Sequence, residues 1–193
     1  MEISLDLSKR YTYADYLTWL DDARRELIEG FIKMLPAPRR VHAEVSHNIT
    51  WYLEAILKKN KGKCKVYSAP FDVRFPKNGE TANERIDTVV QPDICVVCDL
   101  SKLDEFGCCG APDMIVEILS PSTGKKDMTE KFTLYEKNGV KEYWIVYPKD
   151  GAIHVFLLQN DGKYNDGRVY ERNEKVPVHV FDDCLLDLED IFQ

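Results

Sequence analysis

Apolar positions along the chain follow two periods, about 3.6 residues in some segments and two in others, and their order predicts a mixed α/β protein. In YTYADYLTWLDDA, Thr12 is a cap candidate and Tyr16, Leu17 and Leu20 stand at helical spacing, which predicts a short first helix. RELIEGFIKMLP reads as two short extended segments around Glu29 and Gly30. In VHAEVSHNITWYLEAILKKN, Val45, Ile49, Tyr52, Leu53 and Ile56 form one apolar stripe, as a long helix lying on a sheet requires.

The middle of the chain switches to strand patterns: KVYSAPFDVRF, then QPDICVVC, then APDMIVEILS. PDICVV and DMIVEIL are apolar on both faces, as central strands covered by helices are. A helix is expected over 122–138, with Gly139 placed to stop it. KEYWIVYP, GAIHVFLLQ and GKYNDGRVY predict further strands, the last two joined by a turn around Asn160, Asp161 and Gly162. The expected architecture is α/β (α+β), a mixed central β-sheet flanked by helices.

The 193 residues suit one domain over 1–193, and no internal repeat or linker divides them. No apolar run approaches the roughly 20 residues of a membrane span, and MEISLDLSKRYTYADYL lacks the features of a secretory signal. A cytoplasmic protein with no membrane partner is expected. In a reducing compartment the six cysteines should then be free thiols. Cys95, Cys98, Cys108 and Cys109 make a crude zinc-ligand pattern, but Cys95 sits in an apolar run, Cys108 and Cys109 are adjacent, and no histidine lies nearby. The formal charge of -7 argues against a non-specific nucleic-acid coat, although an acidic site that collects cations contributes to that charge.

The candidate chemistry lies between Gln91 and Trp144. Asp93 opens one core-like strand and Glu117 lies within the next, and a carboxylate on such an element is costly without a partner. Taken singly, each is better explained by a turn cap or by pairing with an arginine such as Arg74 or Arg85. Brought together, the two repel and call for a cation, and hard oxygens suit Mg²⁺ or Mn²⁺. In PD-(D/E)XK sites a lysine stands two residues after the glutamate, on the same strand face; here that position is Leu119. The following helix offers a substitute, because Lys131 falls between Leu134 and Tyr135 inside the apolar arc that includes Met128 and Phe132, while Lys126 and Lys137 point away. The alternative is a solvated Asp127–Lys131 pair at i, i+4.

Several stretches together resemble the Uma-two group of putative restriction endonucleases, a PD-(D/E)XK branch. They are RRELIEG followed by MLPAPRRVH, APFDVRF, TVVQPDICVV, GAPDMIVEILSPST, the spaced Asp127, Lys131 and Tyr135, and GVKEYWIVYP. The resemblance runs through nearly the whole chain. It implies a metal-dependent nuclease core in which Asp93, Glu117 and the Ile118 carbonyl hold Mg²⁺ (or Mn²⁺). Lys131 then replaces the lysine missing at 119, and Glu26 matches the acidic residue of the family's first strand and completes the catalytic set. Arg39, Arg40 and His42 match the start of the long helix, where nucleic-acid contact is expected; a histidine that starts a helix is more often a capping or packing residue than a base. Asp113 is a rival to Asp93, but four residues along a strand separate it from Glu117 by roughly 13 Å.

The function expected from these features is Mg²⁺-dependent hydrolysis of DNA phosphodiester bonds, by a homodimer that brings one site to each strand. A nuclease-fold protein without catalysis, binding nucleic acid or serving in an assembly, is the competing reading.

Overall fold

The structure, a computed structural model, describes residues 5–59, 62–120, 125–181 and 183–193. In chain order its elements are α1 (Tyr13–Tyr16), β1 (Arg25–Ile28), β2 (Phe31–Met34), α2 (Arg40–Lys59), β3 (Lys65–Ser68), β4 (Val73–Arg74), β5 (Val89–Val90) and β6 (Ile94–Val97). A single 3₁₀ turn, Leu100–Lys102, precedes β7 (Leu103–Asp104), β8 (Gly107–Cys109), β9 (Met114–Ile118), α3 (Lys125–Asn138), β10 (Glu142–Tyr147), β11 (Ala152–Leu157) and β12 (Arg168–Tyr170). β13 (Lys175–Pro177), β14 (Leu185–Asp187) and α4 (Leu188–Ile191) end the chain.

The mixed α+β class is as the patterning predicts, but it is built on two six-stranded sheets rather than one. The first has the order β2-β1-β5-β4-β8-β7, the second β12-β11-β10-β9-β6-β3, and β13 and β14 form a separate hairpin. KVYSAPFDVRF, whose pattern predicts one extended segment, divides between them: β3 pairs with β6 as far as Ser68↔Ile94, and β4 joins the first sheet. Pro70 lies in the crossing segment, where its missing N–H cannot extend the ladder.

The second sheet explains why its strands are apolar on both faces. Ile94, Val96, Met114, Val116, Trp144 and Val146 pack with Val45, Ile49 and Leu53 of α2 on one side. The alternate residues Cys95, Val97, Ile115, Tyr143 and Ile145 pack with Tyr135 of α3 on the other. Each large apolar side chain buried this way stabilises the fold by about 1.5–3 kcal/mol. α3 stops at Gly139, whose φ of 83° admits the bonds from Gly139 N to Glu136 O and from Val140 N to Tyr135 O, each 3.1 Å.

The first helix is shorter than its stripe suggests. Thr12 and Asp15 form the capping box, but the helix ends at Tyr16, and Leu20, beyond it, is 90 % exposed.

The expectation of six free thiols is corrected. Cys64 and Cys98 form a disulfide, while Cys95, Cys108, Cys109 and Cys184 are free. The antiparallel register Lys65↔Val97 places the next residues out, Cys64 and Cys98, opposite each other. That contact depends on strand pairing, which size and compartment arguments do not address. The bridge also removes Cys98 from the zinc pattern, and among the described residues no three His, Cys, Asp or Glu side chains form a metal-binding group. No described helix is long and apolar enough to cross a membrane.

Candidate active site

β5 belongs to the first sheet and β6 to the second, so Gln91, Pro92 and Asp93 carry the chain from one to the other. The β6–β9 register pairs Ile94 with Val116; one step further along the antiparallel ladder, Asp93 comes opposite Glu117. Strand alternation puts Glu117 on the α3 side, with Ile115, and Ile118 on the α2 side. β1 supplies Glu26 from the first sheet, and α3 supplies Lys131 and Tyr135. Glu26, Glu117 and Lys131 line a cavity of about 210 Å³ whose apolar walls include Met34, Leu35, Leu119 and Met128.

The hydrogen bonds among the described residues all fall on one oxygen of each carboxylate. Asp93 Oδ2 lies 3.1 Å from His42 Nε2 and accepts from Ile118 N at 2.7 Å. Glu26 Oε1 accepts from Gln91 N at 2.8 Å and from Lys131 Nζ at 2.9 Å. Glu117 Oε1 accepts from Lys131 Nζ at 2.9 Å and from the Tyr135 hydroxyl at 2.6 Å. Each carboxylate is thereby held in one rotation, with its second oxygen left out of these bonds.

Electrostatics follow from crowding like charges in a poorly solvated place. Burial pushes the Glu117 carboxyl up to about 7; Lys131 opposes the rise, and Asp93 and Glu26 add to it. Burial alone would lower the Lys131 ammonium, but Glu117 and Glu26 outweigh it and raise it above its ordinary range. His42 is raised, first by its bond to Asp93 and against the effect of burial. The Tyr135 hydroxyl is driven well above 10.0 by burial and then by the charge of Glu117, so at neutral pH it acts as a donor.

The structure therefore brings together Asp93, Glu117, Lys131, Glu26 and His42, and the Ile118 main chain joins them. Lys131 is committed to two carboxylates rather than standing free on the surface; the Asp127 side chain lies outside the described residues. Leu119 packs on the α3 side, so the usual lysine position is apolar here. Arg39 and Arg40 are exposed at the start of α2, with Arg40 paired to Glu44 at 2.6 Å, whereas the His42 ring turns inward onto Asp93. Asp113 points elsewhere: it accepts from Cys98 N and Lys141 Nζ, each at 2.7 Å. Those bonds hold it below the usual carboxylate range although burial works the other way.

Sequence patterning misses two contributors. Tyr135 reads as apolar packing, although its place four residues after Lys131, on the same helical face, is a usable signal. Gln91 gives no such signal. Its main chain holds Glu26, and its side chain donates to Tyr16 Oη (3.2 Å) and Asp72 Oδ1 (2.9 Å) and accepts from Arg24 Nε (3.3 Å).

Fold and site together define a protein of the restriction-endonuclease-like class, with acidic residues from neighbouring strands meeting a helix-borne lysine where two sheets join. Residues 13–189 match the Uma2 family, described as "Putative restriction endonuclease", and the chain belongs to that family. Its fold is similar to the crystal structure of a putative nuclease of DUF820 from Anabaena variabilis ATCC 29413, with a TM-score of 0.74 and 21 % identity over 94 % of this chain and 97 % of that one. It is also 24 % identical over 153 residues to the uncharacterized protein slr1290 of Synechocystis sp., covering 78 % of this chain and 75 % of the relative.

Proposed function

We propose that this chain is a Mg²⁺-dependent nuclease that hydrolyses DNA phosphodiester bonds and works as a homodimer. The observation that carries the proposal is the placement of Lys131 between Glu26 and Glu117 with Asp93 opposite Glu117. A surface ion pair needs one carboxylate, and this lysine has two in a cavity.

The residues suit a hard cation. Asp93 and Glu117 each have one oxygen fixed by two donors and the other outside those bonds, and the Ile118 carbonyl completes the proposed set of protein ligands. Two carboxylates and one carbonyl suit Mg²⁺, which keeps several of its waters. When bound, the ion supplies positive charge at the phosphate and a more acidic water. The protein does the rest. The Lys131 ammonium, anchored by Glu26, stabilises negative charge that develops on the phosphoryl oxygens, and His42 and the Ile118 N–H hold Asp93 in place.

The test is cleavage of plasmid, single-stranded DNA and RNA by metal-stripped protein as Mg²⁺ or Mn²⁺ is restored. Cleavage should appear with the ion and vanish in Glu117→Gln. Failure to cut any of these substrates at saturating metal would leave the non-catalytic reading, which the overall charge of -7 favours.

Tyr135 leads to a sharper expectation. Tyr135→Phe removes one of the two donors on Glu117 Oε1 and little else, so Mn²⁺ affinity should fall about 10- to 100-fold, as for other residues that orient a metal ligand. Tyr164→Phe is the control, since its buried hydroxyl donates to Val140 O at 2.9 Å away from the site and its loss should leave Mn²⁺ affinity unchanged. Calorimetric titration with Mn²⁺ compares the two.

A further inference from the structure

The cavity holding Lys131 adjoins a second one. Ile28, Lys33 and Glu130 line both, and the second, about 650 Å³, runs between β2 and α3. At their junction Lys33 Nζ meets Glu130 Oε2 at 3.1 Å, with the two side chains 40 % and 36 % exposed. An ion pair so open to water is weak and yields its lysine readily to a better-placed anion. Neither residue has a part in the chemistry proposed above.

Beyond that junction the larger cavity offers what a single strand of nucleic acid uses, which is separated cations beside an aromatic face. Lys77 and Lys137 line it, Lys77 paired with Asp87 at 2.6 Å and Lys137 without an ion-pair partner among the described residues. Phe31, 37 % exposed and with the Arg10 guanidinium over its ring at 5.1 Å, stands on the same face of β2 as Lys33, about 7 Å along the strand. Glu29 and Glu130 also line the cavity, so this is not a broad basic face. A duplex, with one phosphate charge per roughly 1.7 Å of axis, is poorly served by it.

We propose that this cavity seats a single polynucleotide strand leading into the Glu26–Lys131–Glu117 site, and that Lys33 leaves Glu130 to bind the phosphate next to the one attacked. The proposal rests on the nuclease reading. It makes Lys33 a substrate-binding residue and Glu130 its competitor, so the two have opposite effects when removed.

Fluorescence anisotropy in Ca²⁺ with labelled oligo-dT and oligo-rU of about 12 nucleotides, and with a DNA duplex of the same length, reads this directly. Lys33→Ala should weaken single-strand binding about three- to tenfold and reduce the dependence of log K on log salt by about 0.7. Glu130→Gln should tighten it about two- to fivefold. The dT and rU arms distinguish DNA from RNA as the source of the strand. Both changed positions are partly exposed and outside the cores, so folding should survive. Wild-type binding that Lys33→Ala and Glu130→Gln shift in the same direction, or not at all, overturns the proposal and leaves the nuclease reading standing. Tighter binding of the duplex overturns the single-strand assignment. A wild-type protein that neither binds these probes nor cuts DNA with Mn²⁺ removes both.

Discussion

Lys131→Met is expected to reduce metal-dependent cleavage at least about a hundredfold while Mn²⁺ still binds, because the ammonium acts on charge developing in the transition state and is not itself a ligand. It should also destabilise the fold in a pH-dependent way. With the lysine gone, Glu26 and Glu117 face each other without their cation, at 2 % and 14 % side-chain exposure, and breaking a buried pair from one side costs about 3–5 kcal/mol. The sign follows from Glu117. Its folded-state value of about 7 lies above the ordinary 4.5, so the native protein binds that proton more tightly than the unfolded chain, and stability from this group declines as pH rises from 4.5 to 7. Without Lys131 the carboxyl rises further and the decline extends to higher pH. The Lys131 ammonium is raised above 10.5, so it stays charged across this range, and what changes with pH is the Glu117 charge that it offsets. Urea unfolding should therefore show a wide gap between wild type and Lys131→Met at pH 8 and a narrow one at pH 5. Lys163→Ala, which removes an exposed partner of Glu136, should be silent in cleavage and cost under about 1 kcal/mol. A gap of equal size at both pH values would show that Glu117 does not titrate as described.

Asp104→Ala is expected to destabilise the protein more than Arg74→Met, although both delete the same ion pair. Arg74 keeps only 2 % of its side chain exposed, and its guanidinium lies over the rings of Tyr13 (5.2 Å) and Phe106 (5.9 Å). Asp104 is 46 % exposed. Removing the aspartate strands a cation away from water, at a cost of about 3 kcal/mol or more. Removing the arginine releases a carboxylate that water can solvate and leaves a methionine to fill the apolar space, at about 1–2 kcal/mol. Thermal unfolding of the two variants at pH 7 decides it, and a larger loss in Arg74→Met would mean that ring packing outweighs the charge.

Much of the site is legible in the sequence because local rules suffice for it. Val45, Ile49 and Leu53 recur at helical spacing, and the strands carrying Asp93 and Glu117 are apolar on both faces. Alternation puts Glu117 and Leu119 on one face, and the helical wheel turns Lys131 toward Tyr135. These are properties of residues a few positions apart.

What the tertiary structure decided involves residues far apart in the chain. No periodicity relates Glu26 to Lys131, 105 positions away, or Gln91 to Glu26, 65 away. Those contacts exist because the chain changes sheets at Gln91–Asp93 and carries β1 against the end of the second sheet. The same holds for Cys64 and Cys98, joined by the β3–β6 register, and for the splitting of KVYSAPFDVRF between two sheets. Sequence alone determined the two long helices and the central strands of the second sheet, and singled out Asp93, Glu117 and Lys131 as candidates. Strand pairing decided which carboxylate anchors that lysine, which oxygens are held, and that a tyrosine with the pattern of a packing residue is a hydrogen-bond donor to Glu117, because each depends on distances set by the assembled sheets.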